Sequence, residues 1–113
     1  MFLSVTIGLQ AQTDTLAVTP FQIVGDLEDA DIYSYGLPDA IAHDLSCLPG
    51  LVVVERIRLS SVLQELKLSQ TGLIREQDAT SIGRLLGAKL IIVGTVQKAG
   101  KETRIHARAV NVG

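Results

Sequence analysis

The chain has 113 residues, of which 47% are hydrophobic and 19% are charged, with a formal net charge of −2. This length suits one domain with a single core, and the apolar content excludes a disordered chain. Residues 1–54 contain seven acidic side chains and no Lys or Arg, whereas residues 55–113 contain all ten basic side chains and five acidic ones. Two interpretations are about equally favoured: an incidental pattern of solvent-facing surfaces, or self-association of acidic with basic patches.

The first twelve residues, MFLSVTIGLQAQ, are apolar as far as Leu9 and then small and polar. This pattern is typical of the end of a secretory signal peptide with cleavage near Ala11, although no basic segment precedes it. An extra N-terminal strand is the alternative. The apolar run is shorter than the roughly 20 residues that a membrane-spanning helix needs. We therefore expect residues 1–15 to be a signal-peptide remnant or disordered N-terminus, residues 16–113 to form one domain, and the protein to be exported.

The sequence of the first half of the domain predicts a strand, an acidic loop and a helix. The strand covers Leu16–Phe21. Because Pro20 has no N–H for a ladder, the strand has to end there or lie where that position would point away from a neighbouring strand. The following loop contains Asp26, Glu28, Asp29 and Asp31, but it lacks the alternating acids and terminal Glu of a calcium loop. We therefore interpret it as a solvated loop. Helical spacing of apolar residues then predicts a helix over residues 37–48.

The second half predicts two further helices and three strands. The strands cover residues 51–55, 89–98 and 102–112, and the helices cover residues 57–66 and 77–86. Gly83, inside the last helix, is expected to permit close backbone approach. The order is therefore β-α-β-α-α-β-β. It predicts an α/β, two-layer (α+β) domain with a mixed sheet, helices mainly on one face and a C-terminal hairpin.

The two-residue turn Gly100-Lys101 sets the register of that hairpin, with glycine in the first position that a type II′ turn prefers. One face is then expected to be core, formed by Ile92, Gly94, Val96, Ile105, Ala107 and Ala109. The other face carries Arg104, His106 and Arg108. It is interpreted first as a solvated surface and second as a protein-contact surface. Nucleic acid is disfavoured, because this face has no aromatic side chain on which bases could stack.

Few side chains in the sequence could carry catalysis or hold a metal. With two histidines and one cysteine, no nucleophile–base pair and no metal-ligand spacing can be assembled, so neither an enzyme nor a cofactor is predicted. Cys47 is expected to be a small core residue and His43 a surface residue. Glu55 and Arg56 follow a predicted strand, and we interpret them as a structural ion pair. A small-ligand site at this strand end is the less favoured alternative.

An ordered set of segments along residues 16–112 is similar to the CsgG family. The segments are LAVTPF at Leu16, LPGLVVVER at Leu48, IGRLLGA at Ile82 and VGTV at Val93. They resemble the periplasmic α/β domain of these curli production assembly/transport proteins. Related domains occur in FlgO-type flagellar envelope proteins, in lipoprotein activators of penicillin-binding proteins and at the N-terminus of TolB. Where the family often begins a helix with Asp-Pro, this chain has Arg75-Glu76, which predicts the loss of a helix cap.

The resemblance implies a non-enzymatic accessory or assembly domain of the bacterial envelope. It would lie in the periplasm or at the outer membrane and act through protein partners, with a homo-oligomer as one candidate assembly. The expected contact residues are Arg104, His106 and Arg108 with the acidic residues Asp26, Glu28, Asp29 and Asp31. A subunit of an outer-membrane secretion channel is the alternative, but the predicted elements leave no residues for the membrane-crossing hairpins of the curli channel. No membrane span and no nucleic-acid partner are expected.

Overall fold

A mixed five-stranded sheet with three α-helices forms the part of the chain that the computed structural model describes, residues 14–68 and 74–112. Residues 1–13 of the predicted N-terminal segment and most of the predicted loop after residue 67 lie outside these residues. Asp14 and Thr15, which were expected to precede the domain, belong to its first strand. The elements in chain order are β1 (Asp14–Val18), β2 (Gln22–Val24), α1 (Leu37–Ser46), β3 (Leu51–Val53), α2 (Arg56–Glu65), α3 (Glu76–Leu86), β4 (Leu90–Ala99) and β5 (Glu102–Asn111). The predicted fold class and element order are confirmed, and the three-residue strand β2 is an addition to the four predicted strands.

Strand β4 is the centre of the sheet. Its whole length pairs with β5 in the antiparallel direction. Its other edge pairs in parallel first with β1 and then with β2, and β1 in turn pairs with β3. The interruption between β1 and β2 contains Pro20, as predicted, and the backbone N–H and hydroxyl of Thr19 both donate to the carbonyl of Ile92 there. After the proline, the chain thus pairs with the same strand, β4, again.

The sheet has helices on both faces, with two of the three on one face. Helices α2 and α3 pack on Ala17, Ile91, Val93 and Val110. Helix α1 packs with Leu16, Val18, Phe21 and Val96 on the opposite face. A π-helical turn, Ile32–Gly36, leads directly into α1 and was not predicted. The division follows from β4, whose alternate side chains point to opposite faces and are apolar on both.

The hairpin has the predicted register but not the predicted burial. Gly100 has a φ of 67°, as the first position of a type II′ turn requires, and Ala99 pairs with Glu102. On the α1 face, Ile92 and Val96 belong to the core cluster, but the β5 residues Ile105, Ala107 and Ala109 are exposed. The prediction that these three are core is wrong, because α1 packs over β1 and β3 rather than over β5.

Gly94 in β4 allows close packing on the α1 face. A Cβ atom at this position would lie 2.7 Å from Cζ of Phe21 and 2.8 Å from the carbonyl oxygen of His106. The Phe21 side chain is completely buried. The absence of a side chain at residue 94 therefore makes the space in which this aromatic ring lies.

Two local predictions need correction. Helix α3 keeps a cap, because the Asp78 carboxylate accepts a 3.0 Å hydrogen bond from the Arg75 N–H, the half of a capping box that the third helical residue supplies. Cys47 is exposed rather than core, because α1 ends one residue earlier and the thiol lies 3.6 Å from the His43 carbonyl oxygen. His43 is exposed, as predicted.

Candidate protein-contact surface

Three basic side chains form a row along β5, which we call the basic ladder: Arg104, His106 and Arg108. Pairing with Gln97, Thr95 and Val93 of β4 puts all three on the face of the sheet where α2 and α3 pack. Each of the three residues is exposed, whereas Val110, two positions further along the same face, is buried. The helices therefore cover only the C-terminal end of β5 and leave the ladder accessible.

An open groove of about 270 Å³ runs beside the basic ladder. His106 and Arg108 form one wall, Gln22 of β2 and Thr95 of β4 contribute polar groups, and Ile74 lies at the start of the α3 region. The sequence predicted the ladder residues from hairpin register alone. It did not predict Gln22 or Ile74, because these residues reach the groove only through the parallel β2–β4 pairing and the packing of α3.

The acidic loop, Gly25–Asp31, lies on the opposite face of the sheet. Its residues Glu28 and Asp29 line a cavity of about 200 Å³ together with Lys98 and Lys101 from the hairpin. The Lys98 side chain is on the α1 face because β4 alternates and Val96 is on that face. Lysines of the same chain thus offset part of the acidic charge, and the loop and the basic ladder do not form one composite site.

The structure gives Arg56 a different partner from the predicted one. Its guanidinium lies 2.7 Å from an Asp39 carboxylate oxygen and 5.1 Å from the centre of the Tyr35 ring. Glu55 adopts extended backbone just before α2, whereas Arg56 is the first residue of that helix. The ion pair that Arg56 forms therefore joins α2 to α1, instead of linking Arg56 to the preceding residue as predicted.

Replacing Arg56 with methionine should lower the free energy of unfolding by about 1 kcal/mol, because an exposed ion pair and a cation–π contact each contribute a few tenths to 1 kcal/mol. Chemical denaturation at low salt measures this loss. In about 1 M NaCl the loss should shrink, since screening weakens the ion pair. The matched control is Glu55→Gln, which removes the adjacent charge and should leave stability unchanged. An equal loss in the control would restore Glu55 as the partner.

The strand-end site considered for a small ligand is almost filled by these side chains. Only about 20 Å³ remains between Val18, Pro20, Tyr35, Arg56 and Leu63. This volume is close to that needed for one water molecule. It does not accommodate a nucleotide or a sugar in this conformation.

Metal binding and membrane crossing were also considered for residues 14–68 and 74–112. No group of three or more His, Cys, Asp or Glu side chains there could hold a metal ion. None of the helices in the same ranges is both long enough and apolar enough to cross a membrane. Within these ranges, the basic ladder with its groove is the surface that best combines exposure, charge and shape.

The family model described as "Curli production assembly/transport component CsgG" matches residues 1–110. The chain belongs to the CsgG family. The match spans the acidic loop, the basic ladder and all the strands and α-helices except the last residue of β5. No curated protein matches the chain.

Solved structures share the fold of this CsgG-family domain at low sequence identity. The LpoB C-terminal domain from Escherichia coli is 21% identical with a TM-score of 0.60, covering 95% of this chain and 77% of that one. Lipoprotein GNA1162 from Neisseria meningitidis is 16% identical with a TM-score of 0.64, covering 87% and 69%. The NMR structure of E. coli LpoB is 20% identical with a TM-score of 0.61, covering 93% and 52%. At these identities the likeness concerns the fold.

Proposed function

We propose that this CsgG-family domain is a non-enzymatic accessory module of the bacterial cell envelope that acts by binding another protein through its basic ladder. Membership of a family described by assembly and transport supports the class of function. Similarity of fold to a domain of LpoB and to a lipoprotein is consistent with it. The exposed ladder beside an open groove is the observation that carries the choice of surface.

The chemistry of this surface favours an acidic protein partner. Arg104 and Arg108 are permanently charged and can make paired hydrogen bonds to carboxylates. Thr95 and Gln22 add neutral hydrogen-bonding groups at the groove. Contacts of this kind set specificity and association rate more than they set affinity. We therefore expect binding that weakens as the salt concentration rises.

Reversing one ladder charge should abolish most of this binding. In Arg104→Glu the partner's acidic groups meet a like charge, so the affinity should fall by about tenfold or more. The measurement is quantitative capture of envelope proteins from the source bacterium on the immobilised domain, compared protein by protein between wild type and variant. A partner retained by wild type and lost from Arg104→Glu is the expected result.

Lys98→Glu is the matched control for that experiment. It makes the same charge reversal in the same hairpin, but on the α1 face of the sheet. It should retain the partner that Arg104→Glu loses. If both variants lose the same proteins, or neither loses any, the basic ladder is not the contact surface. Thermal melts of both variants establish that they remain folded.

The proposed location has its own test. We expect the native protein, carrying a small C-terminal tag, to fractionate with periplasmic or outer-membrane markers of its source bacterium. A cytoplasmic enzyme followed in the same fractions is the control. Recovery of the tagged protein with that enzyme would contradict an envelope function, whatever the ladder binds in vitro.

A further inference from the structure

Strand β5 lies at an edge of the sheet in the part of the chain that the structure describes. Among the described residues it pairs only with β4, through ten consecutive residue pairs without a bulge. It contains no proline. Long edges of this kind offer unpaired backbone groups to another strand, and proteins usually shorten them, bend them or interrupt them with proline. None of these three devices is present in Glu102–Asn111. Charged side chains also protect edges, and β5 carries Glu102, Arg104 and Arg108, so a second strand has to pair these charges favourably.

The turn geometry shows which backbone groups are available. Ala99 and Glu102 flank a two-residue turn and form a hydrogen-bonded pair. Hydrogen-bonded and non-hydrogen-bonded pairs alternate along an antiparallel ladder, so Thr103, Ile105 and Ala107 direct their N–H and C=O groups away from β4. A second strand could therefore bond to every other residue of β5 without disturbing the hairpin.

We infer that this edge pairs with the same edge of a second copy, in an antiparallel, two-fold register centred on Ile105. An arrangement of this kind is closed, because each copy uses the same surface. In this register Ile105 faces Ile105 of the second copy, and Glu102 faces Arg108 of the second copy. Between these pairs, Arg104 faces His106 of the second copy, so no two Arg side chains are directly opposed. The first pair joins two apolar side chains that are each 46% exposed in the monomer. The pair of Glu102 with Arg108 joins opposite charges, and the two-fold symmetry makes it occur twice.

Charge distinguishes this register from its neighbours. Centring the pair on Arg104 or on Arg108 would put two guanidinium groups directly opposite each other, and centring it on His106 would oppose Arg104 to Arg108 twice. Like charges in directly opposed positions are destabilising. Centring on Ala107 would place Glu102 opposite Val112, beyond the end of β5, and Arg104 opposite the apolar Val110. Centring on Thr103 would oppose Glu102 to Arg104, but it would pair only residues 102–104 of β5 with the second copy. The Ile105 register gives Glu102 a basic neighbour across the axis and pairs residues 102–108 of the strand.

The pairing would also change the surface proposed for partner binding. The two-fold axis is perpendicular to the sheet, so both copies present the basic ladder on the same side. Two ladders would then form one continuous surface across the axis. The inference does not rest on the proposed function, because a variant that loses the second copy keeps its own ladder.

Cysteine cross-linking tests the register directly, in a Cys47→Ser background because Cys47 is exposed. Ile105→Cys should form a disulfide-linked dimer under mild oxidation, since opposed Cα atoms about 5.5 Å apart are within disulfide range. Ala107→Cys should not, because its copies would be about 13 Å apart along the strands. Cross-linking of Ala107→Cys as readily as Ile105→Cys overturns the register.

Sedimentation equilibrium of the reduced wild-type protein tests the pairing itself. We expect a reversible dimer of the 12.1 kDa chain at concentrations up to about 1 mM, because an interface of this size is small. Ile105→Lys should weaken it by about tenfold by opposing two charges. The control Val24→Lys changes a side chain that is 42% exposed, outside β5, and should leave the dimer intact. A wild-type monomer throughout, or equal weakening by Val24→Lys, overturns the inference.

Discussion

Phe21→Ala should lower the free energy of unfolding by about 3–5 kcal/mol, the usual cost of truncating a buried aromatic side chain. Phe21 is completely buried and lies at the interruption between β1 and β2, against Gly94. Its removal leaves a cavity where the α1 face meets the central strand. A domain of this size has only about 5–15 kcal/mol of stability in total. Denaturant unfolding followed by circular dichroism measures the loss.

A double-mutant cycle makes the Phe21 prediction specific. Gly94→Ala alone should cost about 1–3 kcal/mol, because the new methyl group meets the ring. In the Phe21→Ala background the clash with the ring is gone and only the clash with the His106 carbonyl oxygen remains, so the cost of Gly94→Ala should become smaller. Additive losses would show that ring and glycine do not interact. The surface control is Ile57→Ala, whose side chain is 80% exposed and should change stability by less than about 0.5 kcal/mol.

The order of the elements could be predicted because the chain marks its boundaries locally. Glycine ends α3, with Gly87 at a φ of 68°; Pro20 interrupts the first strand, and Gly100 begins the hairpin turn. Each of these residues acts through its own backbone conformation. No tertiary contact is needed to interpret them, so the helices and strands differ from the predicted ranges mainly at their ends.

The side of the sheet on which each helix packs could not be predicted. Strand β4 has apolar side chains on both faces, for example Ile91 on one and Ile92 on the other, so alternation does not distinguish them. The burial assigned to Ile105 failed for the same reason: the alternation indicates one face correctly, but it does not show whether a helix extends far enough to cover it. That extent depends on the position of α1.

The candidate site was predictable only where neighbouring residues define it. Register places Arg104 and His106 on one face, since the turn is next to them in sequence. The partner of Arg56 is Asp39, which is seventeen residues away and comes near only when α1 and α2 start at the same end of the sheet. Lys98 approaches the acidic loop through the β2–β4 pairing. Long-range contacts of this kind leave no local pattern.

Gly83→Ala has two opposed effects on the free energy of unfolding, and the larger effect decides whether the variant is more or less stable than the wild type. Glycine within a helix costs up to about 1 kcal/mol relative to alanine, so the helix alone would gain stability. The new Cβ would lie 2.5 Å from a methyl carbon of Val112 and 2.9 Å from the Ala88 carbonyl oxygen. The Ala88 N–H also donates a 2.8 Å hydrogen bond to the Gly83 carbonyl at the end of α3. The backbone at residue 88 is therefore held where the methyl group must go.

We expect the steric effect to exceed the helical gain, giving a net loss of about 1–2 kcal/mol in denaturant unfolding, since overpacking of this kind costs about 1–3 kcal/mol. Val112→Ala should reduce that loss, because it removes the methyl groups nearest to residue 83 and leaves only the clash with the Ala88 carbonyl. The stability lost by the double variant should thus be smaller than the sum of the losses of the two single variants. A stabilised Gly83→Ala protein would show that α3 and the chain after β5 can move apart with little loss of stability. Gly83 would then not be required for their close approach.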